Sequence, residues 1–144
     1  MSYAALAFAA ADPVTSGFIR GVVVHGRQLG RELGYPTANV LLGADAEFEF
    51  GVYATRSSLG DGRVLSGVAN IGRNPTTGLV SPRLEVFLFD FDEDIYGRVL
   101  ETELVAFIRP EIRFADIATL VGQIGLDVEI AASILAEPFQ AQAA

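Results

Sequence analysis

Residues Gly51 to Ile71 read GVYATRSSLGDGRVLSGVANI. Two runs rich in β-branched and aromatic residues, Gly51 to Ser58 and Val64 to Ile71, flank Gly60-Asp61-Gly62-Arg63. Asp-Gly between two such runs signals a hairpin, because a type I′ turn needs positive φ at both central positions. The spacing predicts a pair of antiparallel strands closed at Asp61-Gly62.

Outward from this pair the same short pattern recurs. Phe18 to His25 and Thr37 to Leu42 read as strands before it. Leu84 to Phe89 and Val99 to Ile108 read as strands after it, expected to form a second hairpin across the acidic stretch Asp90 to Gly97. From Asp116 the period changes. Ile117, Leu120, Val121, Ile124, Val128, Ala131, Ile134 and Leu135 recur at spacings of three and four, with Asp116 as N-cap and Pro138 as stop. Six mostly hairpin-connected strands and one covering helix predict a mainly β fold, a six-stranded antiparallel barrel of Greek-key type with one C-terminal α-helix. The barrel and helix are expected over 17–137, with 1–16 a poorly ordered extension and 138–144 a tail.

Composition narrows the chemistry. The 144 residues carry 18 acidic and 10 basic side chains, a net charge of −8, which argues against binding to nucleic-acid backbones. All basic residues are arginine, so loops and kinase signatures built on a lysine are excluded. Without cysteine there are no disulfides, thiolate nucleophiles or cysteine-held metals. The apolar first eleven residues lack a basic n-region, and no segment is expected to span a membrane, so the chain reads as cytoplasmic.

The candidate site begins at Gly26 to Asn39, GRQLGRELGYPTAN. Gly26, Gly30 and Gly34 let backbone N–H groups approach an anion, and Arg27 and Arg31 add positive charge. Pro36 fixes its own φ and leads into a strand, on which residues two apart share a face. The Thr37 hydroxyl and Asn39 amide oxygen can therefore point at one hard cation that also takes phosphates and water. An ordinary mobile loop with turn hydrogen bonds is the plainer reading of the same residues.

Further along, Leu84, Val86 and Leu88 share one strand face and leave Glu85 beside Phe87 and Phe89 on the other. Apolar surroundings raise a carboxyl pKa toward the range useful to a general base, whereas a wet strand end would pair Glu85 with Arg83. The run Asp90 to Glu101 has acidic residues at calcium-loop positions, but Ile95 stands where such a loop needs glycine, so it reads as a solvated turn. His25 is the only histidine and reads as a rim residue. Arg109-Pro110-Glu111, with Arg113 and Phe114, offers either a rim salt bridge or a ligand contact.

Taken together, Gly21-Val22-Val23-Val24-His25-Gly26, Gly30 to Asn39, Gly51-Val52-Tyr53 and Ala69-Asn70-Ile71-Gly72 with Pro75-Thr76 resemble the riboflavin kinase family. Leu84 to Phe91, Asp94-Ile95-Tyr96-Gly97 and Phe107 to Glu111 with Phe114 continue the resemblance in the family's order. The resemblance implies transfer of the γ-phosphoryl of ATP to the ribityl 5′-hydroxyl of riboflavin, giving FMN and ADP. It implies Glu85 as general base and Thr37 and Asn39 as holders of Mg²⁺, with Zn²⁺ or Mn²⁺ as alternatives. It implies nucleotide contacts at Gly21, Gly26, Arg27, Gly30, Arg31, Gly34, Pro36, Thr37, Asn39 and Tyr96, and flavin contacts at Arg109, Glu111 and Phe114. A departure occurs at Asn74 to Thr77, where the bacterial pattern carries an arginine before the proline. Riboflavin, FMN, ATP and ADP are the expected ligands of a monomer that stops at FMN, leaving FAD to a separate FAD synthetase. A noncatalytic flavin- or nucleotide-binding module on the same barrel is the alternative.

Overall fold

The computed structural model describes residues 17–26, 34–43, 46–73 and 82–136. The expected N-terminal extension, the tail with Pro138, the loop residues Arg27, Gly30 and Arg31, and Asn74 to Thr77 lie outside them. Six strands, β1 (Gly17–Val24), β2 (Ala38–Leu41), β3 (Gly51–Ser58), β4 (Val64–Arg73), β5 (Pro82–Leu88) and β6 (Val99–Pro110), precede one helix, α1 (Ile117–Ala136). They close into an antiparallel barrel in the order β1-β2-β5-β4-β3-β6. Strands β3, β4 and β5 are neighbours in sequence order and β6 returns beside β3, which is the Greek-key arrangement.

The barrel is built by alternation. Side chains two apart point to one side of a strand, and Leu84, Val86 and Leu88 on β5 join Ile19, Val23, Val40, Tyr53, Ile71, Leu100 and Leu104 in a filled lumen. Fully burying one such aliphatic side chain contributes about 2 kcal/mol. The lumen is packed, with Val23, Val86, Leu88 and Ile95 at its open end. A second apolar cluster lies outside it, where Val52, Ala54 and Val68 meet Ala131, Val128, Ile134 and Leu135 of α1.

The β3–β4 hairpin forms as the sequence predicts, from Gly51↔Ile71 to Ser58↔Val64. Its turn differs from the expected type I′, however. The positive φ angles fall at Gly60 (81°) and Gly62 (91°), not at Asp61, because two glycines enter the left-handed region without a Cβ clash. Asp61 instead accepts hydrogen bonds from the Arg63 backbone and guanidinium, closing a five-residue connection. The expected β5–β6 hairpin does not form. Strand β5 pairs with β2 and β4, and β6 with β1 and β3. The Asp90 to Gly97 stretch is instead tied down by Gly97 N–H donating to Val23 O and Val23 N–H to Arg98 O, both at 2.9 Å. It crosses the barrel end with Ile95 buried beneath it.

Helix α1 begins as expected, with Asp116 Oδ1 accepting from Thr119 N–H at 2.7 Å. Its first turn does not pack as core, since Ile117 is 59% exposed. By length and composition α1 could cross a membrane, with a mean hydropathy of 1.5, which corrects the expectation that no segment could. Here its second half lies on the barrel wall and carries a buried Asp127.

Candidate active site

Strand pairing places one residue from each strand in a single row on the outer wall. Val24 of β1 pairs with Asn39 of β2, and Asn39 with Glu85 of β5. Glu85 pairs in turn with Asn70 of β4, Asn70 with Val52 of β3, and Val52 with Arg109 of β6. Directly paired residues on one face have Cβ atoms about 5 Å apart. Asn39 and Glu85, 46 positions apart in sequence, therefore stand side by side.

Asn39 is 4% exposed. Its oxygen accepts from Arg83 Nη1 at 3.4 Å, and its amide donates to Thr37 O at 3.4 Å. A Cβ on Gly26 would collide with the Asn39 side chain, so a bare backbone at position 26 is what lets the end of β1 close over it. Thr37 lies just before β2, exposed, two residues from Asn39.

Beside these residues opens a cavity of about 320 Å³. Gly26, Pro36, Thr37 and Asn39 line one side, and Asp92, Glu93, Asp94 and Tyr96 the other. The His25 ring stacks on Tyr96 with centroids 3.7 Å apart, which gives the rim an aromatic face. Five expected nucleotide contacts thus gather at one opening. Of the others, Gly34 is exposed with φ of 92° and does not line the cavity. Gly21 lies within β1, where its bare Cα makes room for Val40, and it does not line the cavity either.

The acidic rim is partly neutralised. Glu93 pairs with Arg63, whose guanidinium also engages Asp61. Hydrogen bonds from Arg63 hold the Asp61 carboxyl at about 2 and keep Glu93 below its ordinary value. Asp94 accepts from Tyr96 N–H at 3.0 Å, a local turn rather than a calcium ligand set. Among the described residues, no group of three His, Cys, Asp or Glu could hold a metal. A hydroxyl and an amide oxygen at the cavity mouth do suit a Mg²⁺ that arrives with phosphates and keeps water.

At the other end of the row Arg109 directs Nε and Nη2 onto both Asp127 oxygens, at 2.9 and 2.7 Å. Gln123 supports the same carboxylate at 3.0 Å. The salt-bridge reading of Arg109 is therefore realised. Any ligand contact must come from the rest of the guanidinium, which stands 5.8 Å over the Phe114 ring. Glu111 reaches back to Asn70, whose Nδ2 donates to its Oε1 at 3.4 Å. Sequence reasoning missed Asp127 and Asn70. The signal for Asp127 was a single acid within an apolar helical stripe; Asn70 stood in the Ala69-Asn70-Ile71-Gly72 motif, but its neighbours Glu85 and Glu111 emerged only once the strands were paired.

A filled six-stranded barrel with a polar row on its outer wall, and a cavity that runs from Asn39 in that row to the lumen residues Val23, Val86, Leu88 and Ile95, defines a candidate ligand-binding domain; Glu85 does not itself line the cavity. A family model described as Flavokinase: Riboflavin kinase matches residues 15–135, and the chain belongs to that family. It is 45% identical over 113 residues to a bifunctional riboflavin kinase/FMN adenylyltransferase of Haemophilus influenzae, covering 78% of this chain and 37% of that one. The chain thus spans little more than a third of that curated relative. Among solved structures, a Streptococcus pneumoniae chain described as a macrolide-efflux protein superposes with a TM-score of 0.72 at 30% identity, covering 91% of this chain and 46% of that one. A riboflavin kinase of Trypanosoma brucei superposes with a TM-score of 0.58 at 26% identity, covering 84% and 80%.

Proposed function

We propose that this chain transfers the γ-phosphoryl of ATP to the 5′-hydroxyl of riboflavin, giving FMN and ADP. The observation that carries the reading is the pairing of the cavity-lining Asn39 with Glu85, which brings the two segments of the family resemblance next to each other. Phosphoryl transfer asks mainly for positioning and charge neutralisation, and this needs no lysine.

Glu85 takes the proton from the ribityl 5′-hydroxyl as that oxygen bonds to the γ-phosphorus. The bond from the γ-phosphorus to the bridging β,γ-oxygen breaks, and ADP leaves with the electron pair. Thr37 and Asn39 hold the metal-nucleotide, and bound Mg²⁺ supplies charge neutralisation on the phosphates. Gly26, Pro36 and Tyr96, which line the cavity, contact the nucleotide, and the family resemblance adds Gly21, Arg27, Gly30, Arg31 and Gly34 as further nucleotide contacts. Riboflavin lies toward Arg109, Glu111 and Phe114.

The activity proposed for this barrel stops at FMN, and adenylylation to FAD is left to a separate FAD synthetase. A closed barrel leaves no strand edge for pairing with another copy, which supports a monomer. A cytoplasmic location is part of the same proposal.

Incubation with riboflavin, ATP and Mg²⁺ should yield FMN by chromatography. Tight flavin binding without turnover across metals would overturn the reading in favour of a binding module. Glu85→Gln should lower kcat by on the order of 10²- to 10⁴-fold, with riboflavin binding, followed by fluorescence quenching, little changed.

A further inference from the structure

Among the described residues, the cavity lining carries three carboxylates, Asp92, Glu93 and Asp94, and no arginine. A triphosphate coming to Thr37 and Asn39 therefore faces an acidic wall. Arg63 does not line the cavity, yet it reaches that wall from the end of the β3–β4 connection and pairs with Glu93. Resting on the kinase reading, we propose that Arg63 is a positioning residue for the nucleotide. By holding the Glu93 carboxylate it offsets negative charge at the opening the triphosphate must enter.

The guanidinium is held at both ends. Arg63 Nε and Nη2 donate to Asp61 Oδ2 at 3.0 and 2.7 Å, and the Arg63 backbone N–H donates to Asp61 Oδ1 at 3.1 Å. Toward the cavity, Nη1 donates to Glu93 Oε2 and Nη2 to Glu93 Oε1, so each carboxylate oxygen has its own donor. The guanidinium carbon also stands 5.7 Å from the centre of the Phe91 ring, and Phe91 lines the cavity. Positive φ at Gly60 and Gly62 is what folds the short connection so that Asp61 can take the Arg63 backbone and side chain together.

An ordinary exposed ion pair contributes little, because water competes for both partners. The Arg63 and Glu93 side chains are 43% and 48% exposed, so their pairing matters less for holding the fold than for where it puts charge. A planar fork can serve two carboxylates in fixed directions, whereas a lysine ammonium is a single point charge on a flexible stem. Without Arg63, Glu93 adds an uncompensated charge to a wall that already carries Asp92 and Asp94.

Wild type, Arg63→Gln, Glu93→Gln and the double variant form a cycle, read by KM for Mg-ATP and by the calorimetric Kd for Mg-ATP, which needs no turnover. Arg63→Gln should raise both constants about fivefold, with kcat and KM for riboflavin changed less than about twofold. The double variant should return both constants to near the wild-type values, since no carboxylate at position 93 is left to offset. In about 0.5 M KCl, where the Debye length is about 4 Å, the Arg63→Gln defect should shrink. Arg63→Lys, which keeps the charge and loses the fork, should fall between wild type and Arg63→Gln. Unmoved constants in Arg63→Gln would overturn the proposal, as would a double variant as impaired as Arg63→Gln alone or a defect indifferent to salt. If wild type made no FMN while Mg-ATP binding followed this cycle, the kinase reading would fall and the role of Arg63 would stand. FMN formation with no effect at Arg63 would do the reverse, and a wild type that neither bound Mg-ATP nor made FMN would overturn both.

Discussion

Thr55 turns its hydroxyl into the filled lumen, where the residue is fully buried and Oγ1 has no hydrogen-bond partner. Its lumen neighbours solve the same problem differently, because Ser57 and Thr102 share a buried hydrogen bond at 2.9 Å. An unpaired buried hydroxyl forfeits its hydration without return. Thr55→Val should therefore stabilise the protein by about 1 kcal/mol, read from the urea midpoint at unchanged slope. At this scale the sequence was legible where a residue's role depends on its own strand. Glu85 opposite Leu84 and Val86 could be read from alternation alone. Asn70 could not, since its meaning comes from β5 on one side and the segment after β6 on the other.

Helix α1 shows what an element needs from its surroundings. The Asp127 side chain is 4% exposed and holds the Arg109 fork, so its removal leaves a largely buried guanidinium without its counter-charge. Asp127→Ala should cost about 3 kcal/mol or more, measured by denaturation, and loosen α1 from the wall. The start of the helix and the β3–β4 hairpin carry exposed carboxyls with lowered pKa values. Hydrogen bonds from Thr119 lower Asp116, and those from Arg63 lower Glu93 and hold Asp61 at about 2. Because these folded-state values lie below the unfolded ones, the stabilisation is present above the unfolded values, 3.8 for Asp and 4.5 for Glu, and is lost as pH falls through the folded ones. The melting temperature should drop between about pH 4.5 and pH 2, and the combined Asp61→Asn, Glu93→Gln, Asp116→Asn variant should show a shallower drop. The cap at Asp116 was legible because capping is local. The Arg109–Asp127 pair was not, because nothing in an apolar helical stripe announces a partner on a strand.

For the whole molecule, the barrel is unevenly sewn. Strands β3 and β4 share eight residue pairs, whereas β1 and β2 share two, Val23↔Val40 and Val24↔Asn39. The thin seam is also where Gly26 and Asn39 meet. Native-state hydrogen exchange should find amides of β2 and the end of β1 opening before those of β3 and β4; uniform protection around the barrel would contradict this. The number and kind of elements were readable from the sequence. Their pairing was readable only for β3–β4, where the turn residues dictate it, while β5 and β6 were wrongly joined because adjacency in sequence was the only available guide.

Alternation along β5 divides its side chains between two surroundings. Positions 82, 84, 86 and 88 face the lumen, while 83, 85 and 87 face the wall. Val86 and Leu88 also line the cavity, so a codon change at either alters the packing and the cavity surface together. Durability and chemistry are tied to each other at those two positions of a seven-residue strand.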